Sequence, residues 1–129
     1  MNNPVAYQKP TNGKFTKTDK EQFPLRGEIF LRSFQSRNVA LQRIPNQTND
    51  AAPSHDVVEW LDGRLIPLGA AWLKTDKNGR DFFSVTLNSE DLSKTVNFSL
   101  FQNQDDENVY DVVLSRIRVK KDTAAESNA

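Results

Sequence analysis

From residue 26 to residue 119 the chain is a succession of short segments, each rich in β-branched or aromatic residues and each closed off by turn formers. The segments are 26–34, 38–44, 56–61, 64–74, 80–87, 94–102 and 109–119. Their lengths and compositions suit strands, not helices. The Asp62-Gly63 dipeptide between Leu61 and Arg64 predicts a two-residue hairpin, because a type I′ turn needs positive φ at both central positions. Lys77-Asn78-Gly79 and 105–108 are further turns. Pro67 interrupts the fourth segment and predicts an edge position or a bulge, since proline donates nothing to a ladder. Only 89–94 suggests helix, a single turn with Ser89 capping Glu90 and Asp91. The expectation is a mainly β fold: one small antiparallel meander, rolled into a sandwich or a barrel.

At 129 residues and 14.7 kDa the chain has room for one domain. Residues 1–25 are polar with scattered apolar side chains and predict a flexible arm; 122–129 predict a disordered tail. The β domain is then 26–121, with a loop of turn formers from 45 to 55.

The 64–87 hairpin sets which side chains share a face. A four-residue loop over 76–79 places Thr75 opposite Arg80, Lys74 opposite Asp81, Leu73 opposite Phe82 and Trp72 opposite Phe83. A two-residue loop would set Lys77 against Arg80 and Asp76 against Asp81, and directly opposed like charges cost up to about 1 kcal/mol. Either register puts Trp72 inward with Phe83, Val85 and Leu87, and Leu73 outward with Arg80, Phe82, Ser84 and Thr86. Half-buried antiparallel strands normally alternate cleanly. Apolar residues on both faces therefore predict either a second covering layer or a patch left for a partner.

The stretch 69–87 (GAAWLKTDKNGRDFFSVTL) resembles the signature of small bacterial proteins grouped as domain of unknown function 736. Gly69, Ala70, Ala71, Trp72, Lys74, Gly79, Arg80, Asp81, Ser84, Val85 and Leu87 carry the resemblance. Weaker echoes lie at Gly27, Ile29, Pro45-Asn46 and Ala52-Pro53, and at Tyr110, Leu114, Ser115 and Arg116. Phe82 stands where members usually carry tyrosine, and Asn88-Ser89-Glu90 replaces an acidic pair and proline. The resemblance implies a small bacterial cytoplasmic protein, often encoded near conjugative or other mobile elements. It implies no activity.

The residues themselves argue against catalysis. The chain has no cysteine, which excludes disulfides, thiol chemistry and cysteine-ligated metals, and one histidine, His55. Its neighbours Ser54 and Asp56 cannot complete a triad, because consecutive residues do not converge on one reacting atom. No glycine-rich phosphate loop or calcium-loop spacing occurs. No cofactor, metal or membrane partner is expected.

Two binding readings remain. In the first, the chain is a protein-interaction or self-association module, presenting Leu73 and Phe82 on an exposed face or offering an unpaired strand edge. In the second it is a single-stranded nucleic-acid-binding accessory protein. Phe82 beside Arg80 would stack a base, and Arg116, Arg118 and Lys120, alternate residues on one side of the last strand, would contact phosphates. Zero formal net charge weighs against a generally basic binder, although residues 1–55 hold eight Lys/Arg and four Asp/Glu.

Overall fold

The computed structural model of the chain describes residues 10–90, 92 and 94–114. The strands are β1 (Gly13–Lys17), β2 (Leu25–Phe30), β3 (Gln35–Arg43), β4 (His55–Leu61), β5 (Arg64–Thr75), β6 (Asp81–Leu87), β7 (Val96–Gln102) and β8 (Val109–Val113). Each pairs antiparallel with the next, and β1 pairs with β8, so the meander closes into a barrel. Among the described residues there is no helix. Where a helical turn was expected, the Leu92 N–H donates to the Ser89 carbonyl at 3.0 Å, a single turn that goes no further.

Closure corrects two expectations. Residues 13–17 belong to the sheet and not to an arm: β1 lines up along β2 from Gly13 opposite Ile29 to Lys17 opposite Leu25, and along β8 from Lys14 opposite Asp111. One inward side chain, Phe15, anchors this strand and is completely buried. A barrel also has no free edge, so among the described residues no strand is open to addition by a partner. Residues 1–9 and 115–129, which include the expected tail, lie outside the described residues.

Eight strands enclose a space that side chains can just fill. Phe15, Ile29, Leu41, Leu87 and Leu100 are completely buried and meet along the barrel axis. Each such side chain contributes about 1.5–3 kcal/mol by leaving water. A smaller cluster sits on the outside. Arg26, Ala40 and Val58 occupy one row across β2, β3 and β4. Over that side of the sheet the Phe23 ring lies 5.0 Å from Trp60, and the Arg26 guanidinium sits 4.9 Å above the same indole. Ala40 and Val58 are buried although they point away from the barrel interior.

Local chemistry sets the strand joints. Asp62 and Gly63 have φ of 52° and 74°, as the I′ hairpin requires, and Leu61 pairs with Arg64. Pro67 sits at a bulge: Val57 faces Gly69 while Val58 faces Pro67, leaving Leu68 as the extra residue. The Leu68 carbonyl accepts the N–H groups of Asn88 at 2.9 Å and Ser89 at 3.1 Å, which ends β6.

The β5–β6 register differs from both registers considered. Thr75 pairs with Asp81, Lys74 with Phe82, Leu73 with Phe83 and Trp72 with Ser84. The loop has three residues, 77–79, between the closing pair Asp76 and Arg80, whose N–H and carbonyl meet at 2.8 Å. Asp76 to Gly79 form a hydrogen-bonded turn (3.0 Å) with Gly79 at φ 81°, the type I turn with a glycine bulge. The Asp76 carboxylate locks it by accepting the N–H groups of Asn78 and Arg80, both at 2.9 Å. The Arg80 N–H foremost holds the Asp76 carboxyl below its ordinary pKa; desolvation opposes it next, and the Asn78 N–H and the Arg80 charge add to the lowering. A one-residue shift moves a strand's side chains to the other face. Trp72 therefore points outward with Phe82, and Leu73 points inward with Phe83, the reverse of the expected Trp72–Phe83 pairing.

Gly69 is required by close approach. A Cβ there would collide with the Thr86 carbonyl oxygen and stand 2.7 Å from Leu87 Cα, both backbone atoms of β6. Gly69→Ala should lower stability by about 1–3 kcal/mol through overpacking, read as a lower urea midpoint with unchanged slope. A variant as stable as wild type would mean that β5 and β6 lie further apart than described.

Candidate protein-interaction face

The outward side chains of β5 to β8 form two rows. The first runs Lys74, Phe82, Phe101, Asp111 across successive strands, and the second Trp72, Ser84, Ser99, Val113. Phe82 and Phe101 are stacked with ring centroids 4.9 Å apart and planes inclined by 16°. Both rings are half-buried, and Val113 beside them is 40% exposed. Above the second row, Thr86 donates its hydroxyl to Asn97 Oδ1 at 2.8 Å. The face thus has an aromatic centre, a hydroxyl-lined flank and a charge at each end of its first row.

Phe82 belongs to this face, and Arg80 stands at its border. Arg80 is exposed and places Nε 3.4 Å from Asp76 Oδ2. It lines a groove of about 650 Å³ with Phe101 and Val113, where Asp81, Asp105 and Glu107 are the other charged groups. Leu73, expected beside Phe82, lies instead on the inward side at the barrel's mouth, 50% exposed. Arg116, Arg118 and Lys120 lie outside the described residues. Phe101, Trp72, Lys74 and Asp111 were missed as members of the face. Phe101 did carry a signal: Phe98 and Leu100 alternate inward, so an aromatic at the next position must point out.

The mouth holds the one histidine. His55 packs edge-on to Phe83 at 5.3 Å, and Tyr110 does so from the other side at 5.8 Å. Ser54 Oγ lies 2.8 Å from His55 Nδ1, accepts the Leu73 N–H at 3.2 Å and reaches the Ala71 carbonyl at 3.3 Å. One hydroxyl proton serves either the carbonyl or the imidazole, and the backbone takes the rest of its capacity. Ser54 is thus a bracket that holds the loop before β4 against β5. Trp72 acts alike, donating its indole N–H to the Ala51 carbonyl at 3.1 Å. Asp56 is exposed and alternates to the opposite face from His55, so the three neighbours do not converge. Burial first, and the Arg43 charge second, push the His55 pKa below its ordinary 6.5. Burial, then the Asp81 charge, raises that of Tyr110.

The folded chain therefore keeps His55 neutral where the unfolded chain takes up a proton. Its contribution to stability is intact above about pH 6.5 and declines as pH falls through that value toward the folded pKa. Urea titrations between pH 7.5 and 5 should show wild type losing stability more steeply than His55→Gln; equal slopes would mean that the imidazole is solvated in the fold.

No curated protein and no solved structure matches the chain. Among the described residues no helix is long and apolar enough to cross a membrane. The resemblance seen in 69–87 extends to most of the chain, for the family model described as protein of unknown function (DUF736) matches residues 11–117, from the residues before β1 to beyond β8. This chain belongs to that family.

Proposed function

We propose that the barrel is a non-enzymatic protein-interaction module whose binding face is the outer side of β5 to β8. The observation that carries this reading is the outward Phe82–Phe101 stack on a barrel whose interior is already filled by other side chains. Neither ring completes the core, and aromatic residues, phenylalanine among them, are enriched at protein interfaces relative to the rest of the surface. The setting we assign is the bacterial cytoplasm, in cells carrying mobile elements, as the family resemblance implies.

Charge favours a protein over a nucleic acid here. The groove beside Phe101 sets Arg80 among Asp81, Asp105 and Glu107, and Arg80 is already engaged by Asp76. A phosphate chain laid across Phe82 and Phe101 would run past these carboxylates and Asp111. Counterion release from a few cations offers little against that repulsion.

Phe82→Asp should keep its circular-dichroism spectrum and lose at least tenfold in association, the scale of a hot-spot truncation. The measurement is capture by immobilised chain from host extract, together with the chain's own association. Leu65→Asp, on the exposed β4–β5 hairpin, should bind as wild type does. Unchanged association by folded Phe82→Asp and Phe101→Asp would sink the assignment. A labelled single-stranded oligonucleotide should give no polarisation change at low salt; a salt-sensitive shift abolished by Phe82→Asp would move the assignment to nucleic acid.

A further inference from the structure

We infer that the occupant of this face is a second copy of the chain, docked about a two-fold axis that runs parallel to the strands between β6 and β7. The inference rests on the interaction reading and adds the partner's identity. Such an axis brings β5 of one barrel over β8 of the other and β6 over β7, while each row stays in place along the strands. The first row then meets itself reversed: Lys74 faces the partner's Asp111, and Phe82 faces the partner's Phe101. In the second row Trp72 meets the partner's Val113, and Ser84 meets the partner's Ser99. Cation meets anion, aromatic meets aromatic, indole meets exposed aliphatic, hydroxyl meets hydroxyl. Every contact occurs twice, as an isologous interface requires.

The alternative in-plane axis, along the rows, would set Lys74 against Lys74 and Asp111 against Asp111. The charge pattern therefore selects one docking and opposes the other. Asn103 donates its amide to Asp111 Oδ2 at 3.1 Å, which fixes the carboxylate before any partner arrives. Lys14 is the cross-strand neighbour of Asp111 on β1 of the same barrel, without an ion pair between them among the described residues. The barrel surface is convex, and β5 and β8 fall away from the contact plane. The end positions need reach, which Lys74 supplies on β5, whereas the Trp72 indole is held on the Ala51 carbonyl and presents only its outer ring face beside Asp50 and Ala51. Zero formal net charge leaves no long-range repulsion between copies. Contact between two convex faces is small, which places the dimer at the weak, micromolar end of specific association.

Sedimentation velocity of the full chain across micromolar to high-micromolar concentrations tests this directly. Wild type should pass from monomer to dimer. Lys74→Asp and Asp111→Lys should each weaken the dimer by about tenfold or more, and the double variant should return to within a few fold of wild type. Restoration by charge exchange cannot come from misfolding. Because the chain has no cysteine, an equal mixture of Ser84→Cys and Ser99→Cys chains can be joined by a short bis-maleimide, and the mixed pair should exceed the twofold excess over either like pair that random pairing gives; a ratio of two would overturn the docking. Wild type that stays monomeric throughout overturns the second-copy inference, and so does a dimer indifferent to both charge reversals. If Phe82-dependent capture of another protein persists in that case, the interaction reading stands without self-association; if it fails as well, both fall.

Discussion

Which aromatic side chains the protein shows to solvent is decided in the turn from Asp76 to Arg80. The Asp76 carboxylate gathers two backbone N–H groups and Gly79 takes a positive φ, so the loop closes over three residues and no other number. Strand pairing has a period of two, and a loop longer or shorter by one residue would exchange the two sides of β6 relative to β5. Phe83 would then share a face with Trp72, and Phe82 would share one with Leu73. The turn costs little to form because each of its residues is suited to its position: aspartate first, glycine at the left-handed one. The placing of Trp72 and Lys74 beside Ser84 and Phe82 follows from these few hydrogen bonds.

Closure is the second constraint, and it changes what binding can mean for this chain. An open meander offers an edge, and a partner can add a strand to it. Once β1 joins β8, the backbone groups along both edges are satisfied and that route disappears. The tight approach of β5 to β6 at Gly69, and of β1 to β2 at Gly27, where a Cβ would strike the Lys14 carbonyl, lets the cylinder close on a core of ordinary side chains. On the proposed reading, recognition is left to side chains on the outer wall. These glycines are also among the residues that carried the family resemblance, and close backbone contact supplies a physical reason for them.

Much of the architecture was legible because it is written in short-range chemistry. The I′ hairpin at Asp62-Gly63, the bulge at Pro67 and the alternating strands each follow from backbone preferences of a few adjacent residues. β1 was not legible: GKFTK contains one apolar residue, and only the barrel's closure makes a strand of it. The β5–β6 register failed differently. Opposed charges were weighed for two loop lengths at up to about 1 kcal/mol, while the Asp-Lys-Asn-Gly signature of the three-residue loop stood in the same segment. Local turn geometry outranks exposed charge pairing, and it would have placed Phe82 beside Trp72's side of the sheet. Phe82 points outward in the expected register and in the observed one, and Arg80 stands exposed at the border of its face. Leu73 followed the mistaken register to the wrong face.

The stacked pair explains why the face is suited to recognition and does not simply expose apolar surface. A lone outward phenylalanine samples several rotamers and must be ordered when a partner binds, at a cost of about 0.5–1.5 kcal/mol per side chain. Phe82 and Phe101 hold one another in near-parallel contact before any encounter, and such pairs contribute about 0.5–1.5 kcal/mol beyond their area. The ordering cost is thus met within the free barrel, by an interaction that does not depend on the partner. Ser84 and Ser99 flank the pair without bulk, and Lys74 and Asp111 mark its ends with opposite charge. A partner must match a rigid aromatic plate and a charge direction at once. In the proposed interaction, geometry of that kind limits wrong pairings more than it raises affinity.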